Sequence, residues 1–256
     1  MKKIFLAVLA TLGISSFGFA QEKQNGNFFT RNMEYQFKTN LSLGGSTPLG
    51  IPREIREIKH YTPVQLILGL EADATKWFSD NQKWGIRVGI RTEGKGMRTE
   101  AVVKSYFTEV IQGDEKIKGY FTGTVKTLVR NTYVIMPVSA VYRVAPRWKI
   151  YGGLYAGLLI DKEFSGHVSD GYLRQDTPVG TKITFEDGTR ADYDFSDELR
   201  LFQWGAQLGA EWHLSKHFIL FPELNYGING IFKSEFKSIS FALHNIYLNL
   251  GFGYKF

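Results

Sequence analysis

The sequence has no cysteine. Disulfide frameworks, thiolate metal sites and cysteine nucleophiles are therefore excluded. Proline is sparse, at seven residues in 256, and beyond the N-terminus no apolar run is long enough for a membrane-spanning helix. Phosphate-loop, zinc-ligand and dinucleotide-binding spacings are absent as well, so no cofactor is expected. The formal net charge is +6, of which Lys2 and Lys3 contribute two, and the +4 left over is too mild to imply a nucleic-acid partner.

The opening "MKKIFLAVLATLGISSFGFA" places two lysines before an apolar run from Ile4 to Ile14 and a small-residue site at Gly18 and Ala20. That order predicts a cleaved secretory signal over residues 1–20 and one domain over 21–256. The run is too short to span a bilayer as a helix. Gln21, not cysteine, follows the cut, so no lipid anchor is suggested. A chain exported without a second apolar helix is either a soluble secreted β protein or a transmembrane β-barrel.

What is present is period-two alternation, with aromatics at 15% and 27 glycines. Val64, Leu66, Leu68, Leu70, Ala72 and Ala74 oppose Gln65, Gly69, Glu71, Asp73 and Thr75, with Ile67 as the exception. Trp84, Ile86, Val88 and Ile90 oppose Gly85, Arg87, Gly89, Arg91 and Glu93; Phe202 to Leu214 repeats the split. A lipocalin-like soluble barrel would need the apolar face inside. Here the opposite face carries Gly, Arg, Glu and Asn, which cannot form a soluble core.

The pattern gives eight strands, near 35–45, 64–77, 84–107, 119–145, 148–164, 199–214, 218–232 and 240–256. Short turns ("FSDNQK", "APR", "SKH") alternate with longer stretches around 46–63, 108–118, 165–198 and 233–239. The fold class is therefore all-β: a closed antiparallel eight-stranded transmembrane β-barrel with short periplasmic turns and long extracellular loops. Trp77, Phe78 and Trp84, Tyr142 and Trp148, and Trp212 and Phe218 flank the short turns as an expected aromatic girdle. Pro137 and Pro222 fall inside strands, and each implies a bulge or a broken ladder bond.

In the last strand His244, Ile246, Leu248, Leu250, Phe252, Tyr254 and Phe256 form the apolar face, in phase with Tyr35 to Leu43 of the first. A leading signal and an outward-facing closing aromatic resemble bacterial outer-membrane barrels, and the resemblance implies recognition by the barrel-assembly machinery. The stretch "NTYVIMPVSAVYRVAPRWKIYGGLYAGLLI", residues 131–160, resembles the hairpin of the PorT-like outer-membrane β-barrel family of Bacteroidetes. One branch of that family is linked to type nine secretion, and the sequence carries no motif that places it in that branch.

An eight-stranded barrel has a lumen about wide enough for side chains to fill. Inward Glu211 and Glu223 are expected to face each other if the turn centres near Lys216 to His217, with Arg87 or Lys38 closing the charge and Asn249 donating hydrogen bonds. Glu71 and Asp73 oppose Arg87 and Arg91 in the same way. The pair reads either as a general acid and base or as a structural ion network, and the closed, short-turn location favours the network. Ser165, His167 and Asp170 contain the residue types of a hydrolase but read as a polar loop. Asp187, Asp192, Asp194, Asp197 and Glu198 could supply oxygens to calcium, without the spacing of a calcium loop. His244 is placed on the lipid side.

The expected function is non-enzymatic, structural or partner-binding through protruding strands and outer loops. Outer-membrane lipid, lipopolysaccharide and an unidentified protein or surface ligand are the partners in view. The alternatives are a lipid- or peptide-modifying outer-membrane enzyme and a narrow solute pore.

Overall fold

The computed structural model describes residues 31–63, 67–112 and 115–256. The expected signal over 1–20, residues 21–30 and the expected strand positions 64–66 lie outside the described residues. Eleven strands are present among the described ones, not eight. They are β1 (Met33–Pro48), β2 (Ile55–Thr62), β3 (Gly69–Trp77), β4 (Trp84–Gln112), β5 (Glu115–Ala145), β6 (Trp148–Asp161), β7 (Phe164–Gln175), β8 (Lys182–Asp194), β9 (Phe202–His213), β10 (Phe218–Gly227) and β11 (Leu243–Lys255).

Antiparallel pairing runs from β1 to β3, β4, β5, β6, β9, β10 and β11, and β11 returns to β1. The ring is uneven, because β3 has nine residues and β5 has 31. Above their short neighbours, β4 and β5 would present unpaired backbone edges. The three additional strands cover them. β2 pairs with β4 around Arg98–Val103, β7 carries on the line of β6 along β5, and β8 folds back on β7. The stretches expected as loops around 46–63 and 165–198 are therefore largely sheet, and a bridge from Ile111 to Asp192 joins β8 to the tip of β4. The β10–β11 connection, by contrast, is longer than expected and covers residues 228–242.

The short-strand half of the molecule is inside out. Along β3, Glu71, Asp73 and Thr75 are buried while Leu70 is exposed; along β4, Arg87 and Arg91 are buried while Trp84, Ile86, Val88 and Ile90 are exposed. β9, β10 and β11 repeat this. The other half has the ordinary arrangement. Met97, Val103, Val125, Val129, Phe164, Val168, Phe185 and Tyr193 pack in one apolar cluster enclosed by the long strands. Ser105, at φ +53°, forms a bulge whose N–H donates to Thr122 Oγ1 at 3.1 Å. The extra residue switches the inward set of β4 from odd to even positions, so Tyr106, Thr108 and Val110 continue the interior.

Neither proline produces a bulge. Val88 pairs with Val138 and Arg91 with Ile135 in one register, and the two pairs between them, at Pro137, are missing. Likewise Leu220 pairs with Trp212 and Glu223 with Gly209, with the pairs at Pro222 missing. Each proline breaks its ladder locally without shifting it, as a residue without N–H should.

At the short-turn rim Trp84 lies 4.4 Å from Tyr142, and Trp148 stacks on Trp212 at 5.8 Å between ring centroids. Phe78 and Phe218 are exposed beside them. Trp77 departs from the expected girdle. Its odd-position parity turns the indole inward, where Arg143 and Lys149 lie 5.0 and 5.1 Å from the ring.

Two glycines of β9 make room for tyrosines of β6. A Cβ on Gly209 would sit 2.4 Å from the Tyr151 ring, and one on Gly205 2.6 Å from that of Tyr155. Gly209→Val is expected to destabilise the barrel by about 1–3 kcal/mol, the usual cost of overpacking. The check is the denaturation midpoint of folded protein in detergent, and an unchanged midpoint would contradict the close approach.

Candidate functional site

The buried charges of the inside-out half form tiers along the ring axis. Nearest the short turns, Lys149 pairs with Glu34, and Arg143 lies 3.9 Å from the same carboxylate. In the next tier Glu211 receives Arg87 Nη1 at 2.6 Å and Lys38 Nζ at 3.0 Å. Lys38 also pairs with Asp73 at 2.9 Å, and Arg87 Nε donates to Thr75 Oγ1 at 3.0 Å. The faces of Tyr151 and Phe221 meet these cations at 5.0–5.5 Å.

Arg91 is the hub of the third tier. Its guanidinium reaches Glu71 at 3.3 Å, Glu93 at 2.9 Å and Glu223 at closer range, and lies 3.4 Å from both Gln207 and Asn225. Asn225 and Asn249 donate to Glu223 at 3.0 and 3.5 Å. Three carboxylates around one fork-shaped cation need its several donors, which a lysine could not supply in fixed geometry.

The last tier is Lys95. Its ammonium pairs with Glu93 at 3.3 Å and is otherwise surrounded by the rings of Tyr133, Tyr155 and Tyr247 at 5.7, 5.2 and 5.4 Å. Aromatic faces stabilise a cation while offering apolar edges to the next layer. Above it the interior becomes the apolar cluster.

The proposed residues Lys38, Glu71, Arg87, Arg91, Glu211, Glu223 and Asn249 thus all lie in the buried lumen. The expected facing of Glu211 and Glu223 is corrected. Glu223 is opposite Gly209, and Glu211 pairs with Lys149 across β6. The cause is the turn: Ser215 Oγ accepts from the backbone N–H groups of His217 and Phe218 at 3.2 and 3.1 Å, and His213 pairs with Ile219. This centres the turn on Lys216 and displaces the strands by two residues relative to the expected register. The two glutamates consequently answer to different cations. Glu34, Lys95 and Lys149 were missed, although Lys95 simply continues the parity of Arg87 and Arg91.

The other candidates are engaged elsewhere. Ser165 Oγ lies 3.5 Å from Glu163, Asp170 accepts from Ser169 Oγ at 2.9 Å, and His167 pairs across the sheet with Lys126 and Asp192. Burial and the neighbouring Arg190 and Lys126 hold the His167 pKa below its usual value. In the acidic stretch Asp192 meets Arg190 at 3.5 Å, Asp194 accepts from the Ser196 N–H at 2.9 Å, and Asp197 pairs with Lys162 at 2.6 Å. The Asp187 side chain lies outside the described residues. His244 is half-buried, stacks on Tyr226 at 5.9 Å and has Nδ1 2.9 Å from the Gly227 carbonyl oxygen.

Exposed apolar side chains around buried, paired charges define an outer-membrane type of β-barrel protein. The chain belongs to the family described as outer membrane protein beta-barrel domain, which matches residues 19–233. Among solved structures it is similar to Ail, the attachment invasion locus protein of Yersinia pestis, at 12% identity and a TM-score of 0.38, covering 87% of this chain and 98% of that one. It is also similar to OprG from Pseudomonas aeruginosa, at 12% identity and a TM-score of 0.32, covering 87% and 95% of the two chains. A third is the Ralstonia pickettii toluene transporter TbuX, at 9% identity and a TM-score of 0.24, covering 86% and 88%. No curated protein matches.

Removing Arg91 leaves buried Glu71 and Glu223 without their ion-pair partner, while Glu93 keeps Lys95. Arg91→Met is expected to cost about 3–5 kcal/mol, as for other broken buried pairs. Adding Glu223→Gln should restore part of it. Denaturant unfolding of the single and double variants checks this, and additive losses would contradict the hub.

Proposed function

We propose that this outer-membrane protein is a non-enzymatic barrel that closes its lumen and carries a partner-binding platform on its long strands, with the short turns periplasmic and the 1–20 segment removed on export. The carrying observation is the length and covering of β4 and β5. At 29 and 31 residues they far exceed the roughly 9–11 needed to cross a bilayer. Their excess, with β2, β7 and β8, forms a second β unit with its own apolar core beyond the lipid-facing belt.

β2 is the part of that platform most open to a partner. Seven of its eight residues are exposed, including Ile58 and Tyr61, and it pairs on one side with β4. A free strand edge binds extended segments by backbone hydrogen bonding. Arg56, Glu57, Lys59 and His60 on the same strand discourage indiscriminate edge-to-edge aggregation. The 131–160 hairpin supports a narrower placement with the PorT-like barrels, and the outer-membrane family supports assembly by the barrel-assembly machinery.

A solute pore is disfavoured by the paired charges and the Lys95 cage, and an enzyme by the separate engagements of Ser165, His167 and Asp170. Two measurements test the reading. Purified protein in planar bilayers is expected to give no stable conductance steps; sustained single-channel currents would favour the pore. On intact cells, a photo-cross-linking residue at Ile58 is expected to give protein or glycan adducts, and one at Ile150 lipid contacts alone. Folded protein with no Ile58 adduct would count against the platform.

A further inference from the structure

The β10–β11 connection, residues 228–242, walls a cavity of about 460 Å³ whose charged lining is all of one sign: Arg200, Lys233 and Lys237. Among the described residues no carboxylate lines it. Arg200, just before β9, is anchored by donating Nε and Nη2 to the Phe232 carbonyl at 3.3 and 3.1 Å. Lys233 donates Nζ to the backbone carbonyl of Asp197 at 2.6 Å, and its charge also acts on the Asp197 carboxylate. The direct ion-pair partner of that carboxylate is Lys162, at 2.6 Å. Lys237 is exposed and makes no ion pair among the described residues.

Aromatic rings complete the walls, with Phe232 and Phe236 4.5 Å apart and Phe236 4.9 Å from Phe195. The position matters as much as the lining. Leu201 and Phe202, directly after Arg200, are exposed, and Phe202 pairs with exposed Leu158 of β6. The cations therefore sit at the upper margin of the lipid-facing belt. Like charges kept together beside rings at that margin suit an anion carried on an amphiphile, whose phosphate takes the cations while its apolar part follows the belt. A soluble anion would gain nothing from the rings or from the belt.

We propose that this cavity binds the phosphorylated headgroup of a glycolipid in the outer leaflet, with Arg200, Lys233 and Lys237 on the phosphate and Phe232 and Phe236 against the sugar. The assignment rests on the outer-membrane orientation proposed above. The test is titration of the full folded protein in nanodiscs with phosphorylated lipid A, with the same lipid enzymatically dephosphorylated, and with inorganic phosphate. Phosphorylated lipid A is expected to bind more tightly than the dephosphorylated form by about tenfold or more, the equivalent of one charge-assisted hydrogen bond. Lys233→Gln with Lys237→Gln should lose that difference, and Lys233→Arg with Lys237→Arg should keep it.

Equal binding of both lipid forms, or an unchanged preference in the glutamine variant, would overturn the proposal. Displacement of lipid A by inorganic phosphate at equal concentration would overturn the headgroup assignment in favour of a soluble phosphate. Heat-modifiable mobility, recorded for each variant, reports the folded barrel independently. Failure of the cavity is thereby distinguished from failure of the barrel reading.

Discussion

Lipid on the outside leaves the short-strand half no place for its polar side chains except the interior, and a buried charge is tolerable only when it is paired. The rest of the structure follows from that constraint. Among the described residues six lumen carboxylates, Glu34, Glu71, Asp73, Glu93, Glu211 and Glu223, meet six cations, Lys38, Arg87, Arg91, Lys95, Arg143 and Lys149. The balance matters because desolvation penalises every unmatched charge. Arg91 meets three carboxylates, a position where a planar guanidinium group serves better than an ammonium group.

The same strands must then change their inside from charged to apolar as they leave the belt. Lys95 makes that transition in one side chain, with Glu93 on the charged side and three tyrosine rings around the ammonium. Met97, one inward position further along β4, already belongs to the apolar cluster. Beyond it the β unit is held by ordinary hydrophobic burial, so its stability does not depend on the membrane in the way the lumen tiers do.

Much of the barrel was legible because period-two parity is a local property of the chain. Leu70, Ile86, Val88, Ile90, Leu208 and Leu250 fall on the exposed side, and Glu71, Arg87, Arg91, Glu211 and Glu223 on the buried side, where the alternation places them. Three features were not legible. The Ser105 bulge depends on a single residue at positive φ and hides as a slip in alternation. The β2 and β7–β8 pairings exist because β4 and β5 outlast their neighbours, which is a tertiary fact. The register at Ser215–Phe218 turns on two side-chain-to-backbone hydrogen bonds, and a one-residue error in the turn centre moves the opposing strand by two. Trp77 shows the reverse lesson, since strict parity would have placed it inside.

The central claim is that one pair of strands passes from a lipid-facing belt into a water-exposed β unit. The absence of native cysteine permits a direct test, with single cysteines at Ile90, Leu154, Leu208, Arg98 and Lys126 carrying nitroxide labels in liposomes. Labels at the first three are expected to relax mainly with oxygen, and those at Arg98 and Lys126 with a water-soluble nickel complex. Nickel access at Ile90 and Leu154 equal to that at Lys126, in protein shown to be folded, would contradict the account.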